Sequence, residues 1–246
     1  MQITSRIIKG GALLEESRRF VEAWNPAEST LSNIEQIRHM NFLGKASRSR
    51  SADVLAILRQ RFVDPGPDVI ATLRQFLEAA RTLREAFYYE ASRNDALLAM
   101  FAEGPVFSWY GEGRPQLGTE ETTAWVRRLP TRWGEETTNR VVQGLLSTLR
   151  DFGVLEGEVR KRFAPAHMTT LGFAYVALRE RENQPSSRAL YEAAVWRRYL
   201  LDRQRVRELF VDADHHKFLR FSEVGSAIRI DWLIASIQEL PRVLAA

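Results

Sequence analysis

The chain has 246 residues, enough for one large domain or two small ones, and its hydrophobic fraction of 45% belongs to a globular protein. Thirty-five Lys and Arg against 31 Asp and Glu leave a net charge of +4, which is basic but does not by itself name a nucleic-acid partner. The absence of cysteine excludes disulfides, thiolate metal sites and cysteine nucleophiles. No run approaches the roughly 18 to 20 apolar residues of a bilayer span, and the opening six residues lack a leader-like apolar stretch, so a cytoplasmic protein with no membrane partner is expected.

Gly10-Gly11 precedes a helix over 12–24, with Leu13, Leu14, Phe20, Val21 and Trp24 on one broad face, and Asn25-Pro26 ends it. Ser29 or Ser32 caps a second helix bearing Ile34, Ile37, Met40 and Phe42. Gly44 closes that helix. Ser51 with Asp53 opens a third over 52–62, packing through Val54, Leu55, Leu58 and Phe62. The window 45–61 holds five bases (Lys45, Arg48, Arg50, Arg59, Arg61) and one acid, Asp53, a surplus as large as that of the whole chain. Basic side chains and serine hydroxyls at a helix start, where backbone N–H groups lack partners, suit a phosphate. A solvated capping turn has the same pattern; the concentration of charge favours the phosphate reading.

Asp64-Pro65-Gly66-Pro67 is a break. Helix resumes at Asp68, with Val69, Leu73, Phe76, Leu77 and Ala80 in phase, and continues with room for an interruption to Phe101. Gly104-Pro105 breaks the chain, and 106–117, rich in Gly and Pro, reads as a linker or surface loop. A soft boundary there divides the chain into helical subdomains, 1–110 and 111–246.

The most informative stretch is 118–165. Thr119 with Glu120 and Glu121 starts a short helix through Trp125 and Val126 to Leu129, and Pro130 stops it. The turn Thr131-Arg132-Trp133-Gly134 leads into a longer helix over 135–152, with Val141, Leu145, Leu149 and Phe152 in one stripe. Gly153 is its expected C′ residue. Two short apolar runs around the turn pair Glu156-Gly157, ending Val159-Arg160-Lys161-Arg162-Phe163, read as a hairpin. Helix, turn, amphipathic helix and basic hairpin is the order of a winged helix-turn-helix. The polar N-terminal face of the second helix carries Glu136, Thr137, Asn139, Arg140 and Gln143. Asn and Gln suit adenine and Arg suits guanine, while Arg132, Arg160, Lys161 and Arg162 could hold phosphates on either side. Carboxylates at Glu135 and Glu136 oppose phosphate but suit the helix dipole. A plain helical hairpin with a solvated face fits equally, and the residues alone leave both readings open.

Further on, Pro165 opens a helix through Leu171, Tyr175 and Leu178, and 183–186 breaks it. Ser186 or Ser187 caps a deeply packed helix with Leu190, Tyr191, Val195, Trp196, Tyr199 and Leu200. Asp202 starts a short helix bearing Arg203, Arg205 and Arg207, read as a solvated face. A small hairpin turns around Val224-Gly225, and a final helix ends at Pro241. His39, His167, His215 and His216 lack metal-site spacing, and no phosphate loop, dinucleotide fingerprint or nucleophile elbow occurs. No cofactor or catalytic residue is therefore assigned, although carboxylates distant in sequence could still meet in a nuclease site.

Three patches carry a family resemblance: Ile8-Lys9-Gly10-Gly11-Ala12-Leu13-Leu14-Glu15-Glu16-Ser17; Asn41-Phe42-Leu43-Gly44-Lys45-Ala46-Ser47-Arg48-Ser49-Arg50 with Leu58-Arg59-Gln60-Arg61-Phe62; and Trp133-Gly134-Glu135-Glu136-Thr137-Thr138 with Leu149-Arg150-Asp151-Phe152-Gly153-Val154-Leu155. With them the chain resembles the BrxA family of bacteriophage-exclusion (BREX) systems. The resemblance implies a mainly α, compact multi-helix globule with two helix-turn-helix elements, encoded beside a methyltransferase and ATPases, that binds double-stranded DNA. On that resemblance Lys45, Arg48 and Arg50 belong to the first element, and Thr137, Arg140, Arg160, Lys161 and Arg162 to the second. The expected function is non-enzymatic binding of duplex DNA, mainly through phosphate contacts, by a protein that is monomeric when isolated. A scaffold for the methyltransferase or ATPase, and an RNA-binding antitermination-like factor, are the alternatives.

Overall fold

The structure, a computed structural model, describes residues 3–243; residues 1–2 and 244–246, which include the first residues read above for a leader, lie outside it. The first half runs α1 (Ile7–Gly10), α2 (Leu14–Ala23), α3 (Thr30–His39), α4 (Arg48–Phe62), α5 (Pro67–Gln75), α6 (Ala80–Asn94) and α7 (Ala96–Phe101). A π-helical turn (Ala102–Val106) joins α7 to α8 (Phe107–Gly111). Then come β1 (Gln116–Leu117), α9 (Thr119–Arg127), α10 (Glu135–Asp151), β2 (Leu155–Glu156) and β3 (Lys161–Phe163). The chain finishes with α11 (Thr170–Arg181), α12 (Ser187–Tyr191), α13 (Val195–Arg198), α14 (Arg203–His215), β4 (Leu219–Val224), β5 (Ala227–Trp232), a 3-10 turn (Ile237–Glu239) and α15 (Leu240–Val243). The architecture is mainly α, with two small antiparallel sheets.

Two helices are buried around most of their circumference. In α6 a continuous run from Thr82 to Ser92 is buried apart from Arg84, and in α11 every residue from Gly172 to Leu178 is buried. They pack against each other, and one hydrophobic cluster spreads from them into both halves of the chain. Tyr88 of α6 lies against Phe152, just past α10, with ring centroids 4.9 Å apart, and edge-on to Tyr199 at 5.2 Å. Phe173 of α11 stacks on Trp196 at 4.6 Å and meets Phe210 edge-on at 4.8 Å. Such ring pairs add about 0.5 to 1.5 kcal/mol each beyond their buried area.

Charge is buried with them. The Glu90 carboxylate is completely buried; it accepts from the Tyr175 hydroxyl at 2.8 Å and from Arg179 Nε at 2.9 Å. Tyr89 donates to Glu180 at 3.1 Å, which crosses the same α6–α11 contact in the other direction. At the start of α11, Thr169 caps the helix by accepting from Gly172 N–H at 3.0 Å, and its own N–H and hydroxyl donate to Glu85.

Several local expectations shift by identifiable causes. Ser47, not Ser51, caps α4, so that helix starts at Arg48 and takes in the basic stretch. Leu13 is left-handed at φ +50°, so the first long helix begins at Leu14, behind the short α1. Gly104-Pro105 does not break the chain. Phe107 N–H reaches back to Ala102, and this widened turn accommodates a proline ring that an α-helical turn would press on a carbonyl. The first half of the expected linker over 106–117 is therefore helix, and it ends in the strand β1. The long helix expected to Phe101 is interrupted twice, after Gln75 and at Asp95, whose carboxylate caps α7. Pro165 opens no helix, because the cap is supplied at Thr169. The helix expected over Leu190 to Leu200 divides into α12 and α13. The terminal hairpin forms around Gly225 at φ +59°, as its alternation predicts. Helix α15 passes through Pro241 rather than ending there.

Removing one partner of a buried ion pair leaves the other charge unsolvated. Arg179→Ala is expected to lower the unfolding free energy by about 3 to 5 kcal/mol in urea denaturation; a loss below about 1 kcal/mol would mean that Glu90 finds water or another partner. Burial pushes Glu85 from 4.5 up to about 7, against the opposing effect of the Thr169 hydrogen bonds and the charges of Arg81 and Arg84. The folded state thus holds a proton that the unfolded chain has released. This contribution is complete below the unfolded value of 4.5 and is lost as pH rises through about 7. The urea midpoint should fall between about pH 5 and pH 8, and Glu85→Gln should flatten that slope.

Candidate nucleic-acid interface

The region 116–163 assembles around α10. The chain enters on β1, crosses α9 and α10, and returns through β2 and β3, giving a three-stranded sheet in the order β1-β3-β2. Leu117 pairs with Lys161, Gln116 with Arg162, and Glu156 also with Arg162. The strand β1 ties the hairpin to the start of α9. Two residues after a proline gave no sequence signal for it.

Helix α10 begins after Gly134, which is extended and offers no side-chain cap, so Glu135 and Glu136 meet the positive end of the dipole alone. Its buried stripe is Thr138, Val141, Val142, Leu145, Leu146, Thr148 and Leu149. This stripe faces α9, α1 and β2. At Gly144 the helix comes so near α1 that an added Cβ would lie 3.4 Å from the Ile7 carbonyl oxygen. The opposite stripe, Glu136, Asn139, Arg140 and Gln143, is exposed, with Thr137 half-buried at its margin. Arg140 lies 3.9 Å from Glu136 one turn back, both side chains largely in solvent. Such a pair contributes little to stability and is readily exchanged for another partner.

The hairpin is pinned from inside. The strand residue Lys161 is buried and donates from Nζ to the carbonyls of Gly157, at 2.9 Å, and Glu158. Its ammonium closes the loop and does not project to solvent; its pKa is lowered by desolvation and then by the Arg150 charge. The expected turn pair Glu156-Gly157 becomes a four-residue loop, 157–160, because Glu156 stays in the strand. Gly157 has φ +87°, and a Cβ there would lie 2.3 Å from the Arg160 carbonyl oxygen. Val159, expected within the apolar run of the hairpin, stands instead at its tip and is 95% exposed. A groove of about 340 Å³ lies between Gln143 and Ser147 of α10, the tip residues Glu158, Val159 and Arg160, and the chain at Gly118-Thr119. Arg132, Arg160 and Arg162 are exposed and form no ion pair among the described residues.

The first basic element is built differently. Lys45 pairs with Glu16, Arg50 donates to the Lys9 carbonyl at 3.0 Å, and Arg59 pairs with Asp64 at 3.1 Å. Arg61 is buried and donates to the carbonyls of Gly11 and Ala12; desolvation pushes its pKa down to about 10. Of the five bases in that window, Arg48 alone stands exposed without an intrachain partner among the described residues. The short α1 contacts both α4 and α10 and so links the two elements.

The BrxA family model matches residues 1–179, a span that includes α3, α4, the whole of 116–163 and most of α11. The chain belongs to the BrxA family. BrxA proteins are components of BREX phage-defence systems, and this chain is such a component. Among curated proteins no match is found. A solved structure, that of an uncharacterized protein from Magnetospirillum magneticum, is similar with a TM-score of 0.61 at 19% identity; the likeness covers 81% of this chain and 98% of that one. It shows that the BrxA fold seen here recurs in a distant sequence. No helix among the described residues is long and apolar enough to cross a membrane.

Gly157→Ala is expected to open the hairpin tip, costing about 1 to 3 kcal/mol and exposing the 157–162 segment to trypsin. Arg160→Ala should leave stability within about 0.5 kcal/mol of the parent. Equal protease resistance in Gly157→Ala would show that the tip tolerates a different loop.

Proposed function

We propose that 116–163 is a winged helix-turn-helix and that the chain is a non-enzymatic, duplex-DNA-binding component of its BREX system. In that reading α10 is the reading helix and the β2–β3 hairpin is the wing. The observation that carries it is the groove in which Gln143 and Ser147 of α10 and the hairpin tip at Arg160 face one space, with Asn139 and Arg140 exposed further along the same helix. A major groove admits one α-helix, and Asn139, Arg140 and Gln143 project from the exposed side of α10 with donors suited to purine edges. Arg132 before the helix and Arg160 and Arg162 on the wing flank it as phosphate contacts. Val159 would lie on sugar edges beside them. Arg48 at the head of α4 is the free cation of the first element, with Lys45 and Arg50 shaping that turn. Lys161 supports the wing from beneath instead of touching DNA. Glu136 holds Arg140 in the unbound protein and yields it to the nucleic acid on binding. Autonomous binding by the isolated monomer is the expectation, with the methyltransferase and ATPase of the system as protein partners.

A second role, as a scaffold, is favoured by a separate patch. Leu31 is 68% exposed and lines a groove between α3 and α4 together with Ile34, Ala52 and Leu55. A partner surface of the complex would cover it.

Fluorescence titration of a labelled duplex at several salt concentrations tests the DNA reading. With about six phosphates neutralised, log K should fall against log salt with a slope of roughly −5. The double variant Arg160→Ala/Arg162→Ala should reduce that slope by about 2 for every sequence, whereas Arg140→Ala or Gln143→Ala should cost about 1 to 3 kcal/mol at a preferred sequence. Glu136→Gln should tighten binding by removing a carboxylate from the interface. No binding at low salt would overturn autonomous recognition, and stronger competition by structured RNA would move the assignment to RNA.

A further inference from the structure

Behind the hairpin lies a second, larger cleft of about 490 Å³. Its walls are α6, through Arg81, Arg84 and Tyr88; the end of α10, through Arg150 and Phe152; the strand β2; and residues 164–167. It shares no lining residue with the groove beside α10, and none of the candidate DNA contacts borders it.

Two of its three arginines are uncommitted. Arg81 and Arg84 form neither an ion pair nor a hydrogen bond among the described residues. Arg150 uses Nε and Nη2 on Asp151, at 2.9 and 2.7 Å, and keeps Nη1 free. Arg84 is positioned by packing instead of by a carboxylate: its guanidinium lies over Gly153, where an added Cβ would sit 3.2 Å from Cζ. Of the two acids on the wall, Glu85 turns both oxygens to Thr169 and Glu156 lies exposed on β2. The local field is positive by two further signs. His167 has its pKa lowered by desolvation and then by the charges of Arg81 and Arg205, and Lys161 has its own lowered by desolvation and then by Arg150.

Asp151 offsets Arg150, but Arg81 and Arg84 add two further charges to the same concave space, and an anion there would relieve their repulsion. Planar forks with free N–H donors match the several oxygens of a phosphate. The volume far exceeds what a bare oxyanion fills, and Val154, Leu155 and Leu200 give the rest of the wall an apolar surface. We propose that this cleft binds a small phosphate ester, its phosphate held by Arg81, Arg84 and Arg150 and its organic part lying on Val154, Leu155 and Leu200. The site is independent of the DNA reading, because it uses different residues.

Isothermal calorimetry on the full chain tests it, with AMP, a hexose 6-phosphate and inorganic phosphate as probes. At least one ester should bind with a Kd between about 10 µM and 1 mM, and inorganic phosphate more weakly. Arg84→Ala should weaken that ester at least about tenfold, Arg84→Lys less, and Arg220→Ala, on the far hairpin, not at all. Should Arg84→Ala fail to fold, Arg81→Ala carries the same expectation. The proposal is overturned by binding of neither ester, or by ester binding indifferent to Arg81 and Arg84. It is equally overturned if inorganic phosphate binds as tightly as the esters, or if a short duplex displaces the ester, which would make the cleft part of a DNA track.

Discussion

A carboxylate with no access to water sits at the centre of this molecule, and the arrangement of the other helices follows from how it is satisfied. Glu90 on α6 is held by Tyr175 and Arg179 on α11. An ion pair of this kind contributes little to stability against a well-packed apolar substitute, but it tolerates no slippage. One residue of register change along α11 would carry both donors off the carboxylate. The pair therefore fixes how α6 and α11 lie together, and the Glu85–Thr169 contact fixes the same two elements at the other end. From that frame Tyr88 reaches Phe152 and sets the place where α10 ends. The exposed stripe of α10 is thus oriented by a helix that does not itself line the candidate interface.

Arginine has two distinct uses in the chain. Part of the large arginine complement is internal joinery: Arg61 fastens α4 to the carbonyls of Gly11 and Ala12, Arg74 fastens α5 to those of Val21 and Glu22, and Arg198 pairs with Glu103 on the π-helical turn at 2.6 Å. A guanidinium suits this role because its fork can serve two carbonyls at once while its stem packs with apolar neighbours. Others stand without an ion pair among the described residues, including Arg132 in the turn before α10, Arg160 and Arg162 on the β2–β3 hairpin, and Arg81 and Arg84 in the cleft behind β2. A charge count along the sequence cannot separate the two populations. The window 45–61 has the largest surplus, yet most of its bases are engaged within the chain. The β2–β3 hairpin has a smaller one and leaves Arg160 and Arg162 without an ion pair among the described residues.

Two positions show how backbone chemistry shapes the candidate interface. Gly157 and Lys161 together make the tip: the glycine allows the left-handed turn, and the lysine gathers two loop carbonyls from below. At the other end of the region, the π-helical turn at Pro105 keeps α7 and α8 one nearly continuous rod, so the short β1 is delivered to the edge of the hairpin. Both devices rest on local hydrogen bonding, and both place elements whose own sequences are too short to dictate position.

By itself the sequence determined the helical class, the order of α9, α10 and hairpin, and the exposed face of α10. Each of these rests on local periodicity, on caps and on glycine, which act within a few residues. The family, too, was legible in Ile8-Lys9-Gly10-Gly11 and in the turn at Asn41 to Arg50. What the tertiary structure alone decided was which charges remain free. Lys161 turned inward because a neighbouring loop offered it two carbonyls, Arg61 was buried because it reaches the carbonyls between α1 and α2, and Arg81, Arg84 and Arg150 line one cleft because Tyr88 of α6 packs on Phe152 just past α10. A side chain's partner across the fold is a matter of three-dimensional proximity, and no spacing along the chain encodes it.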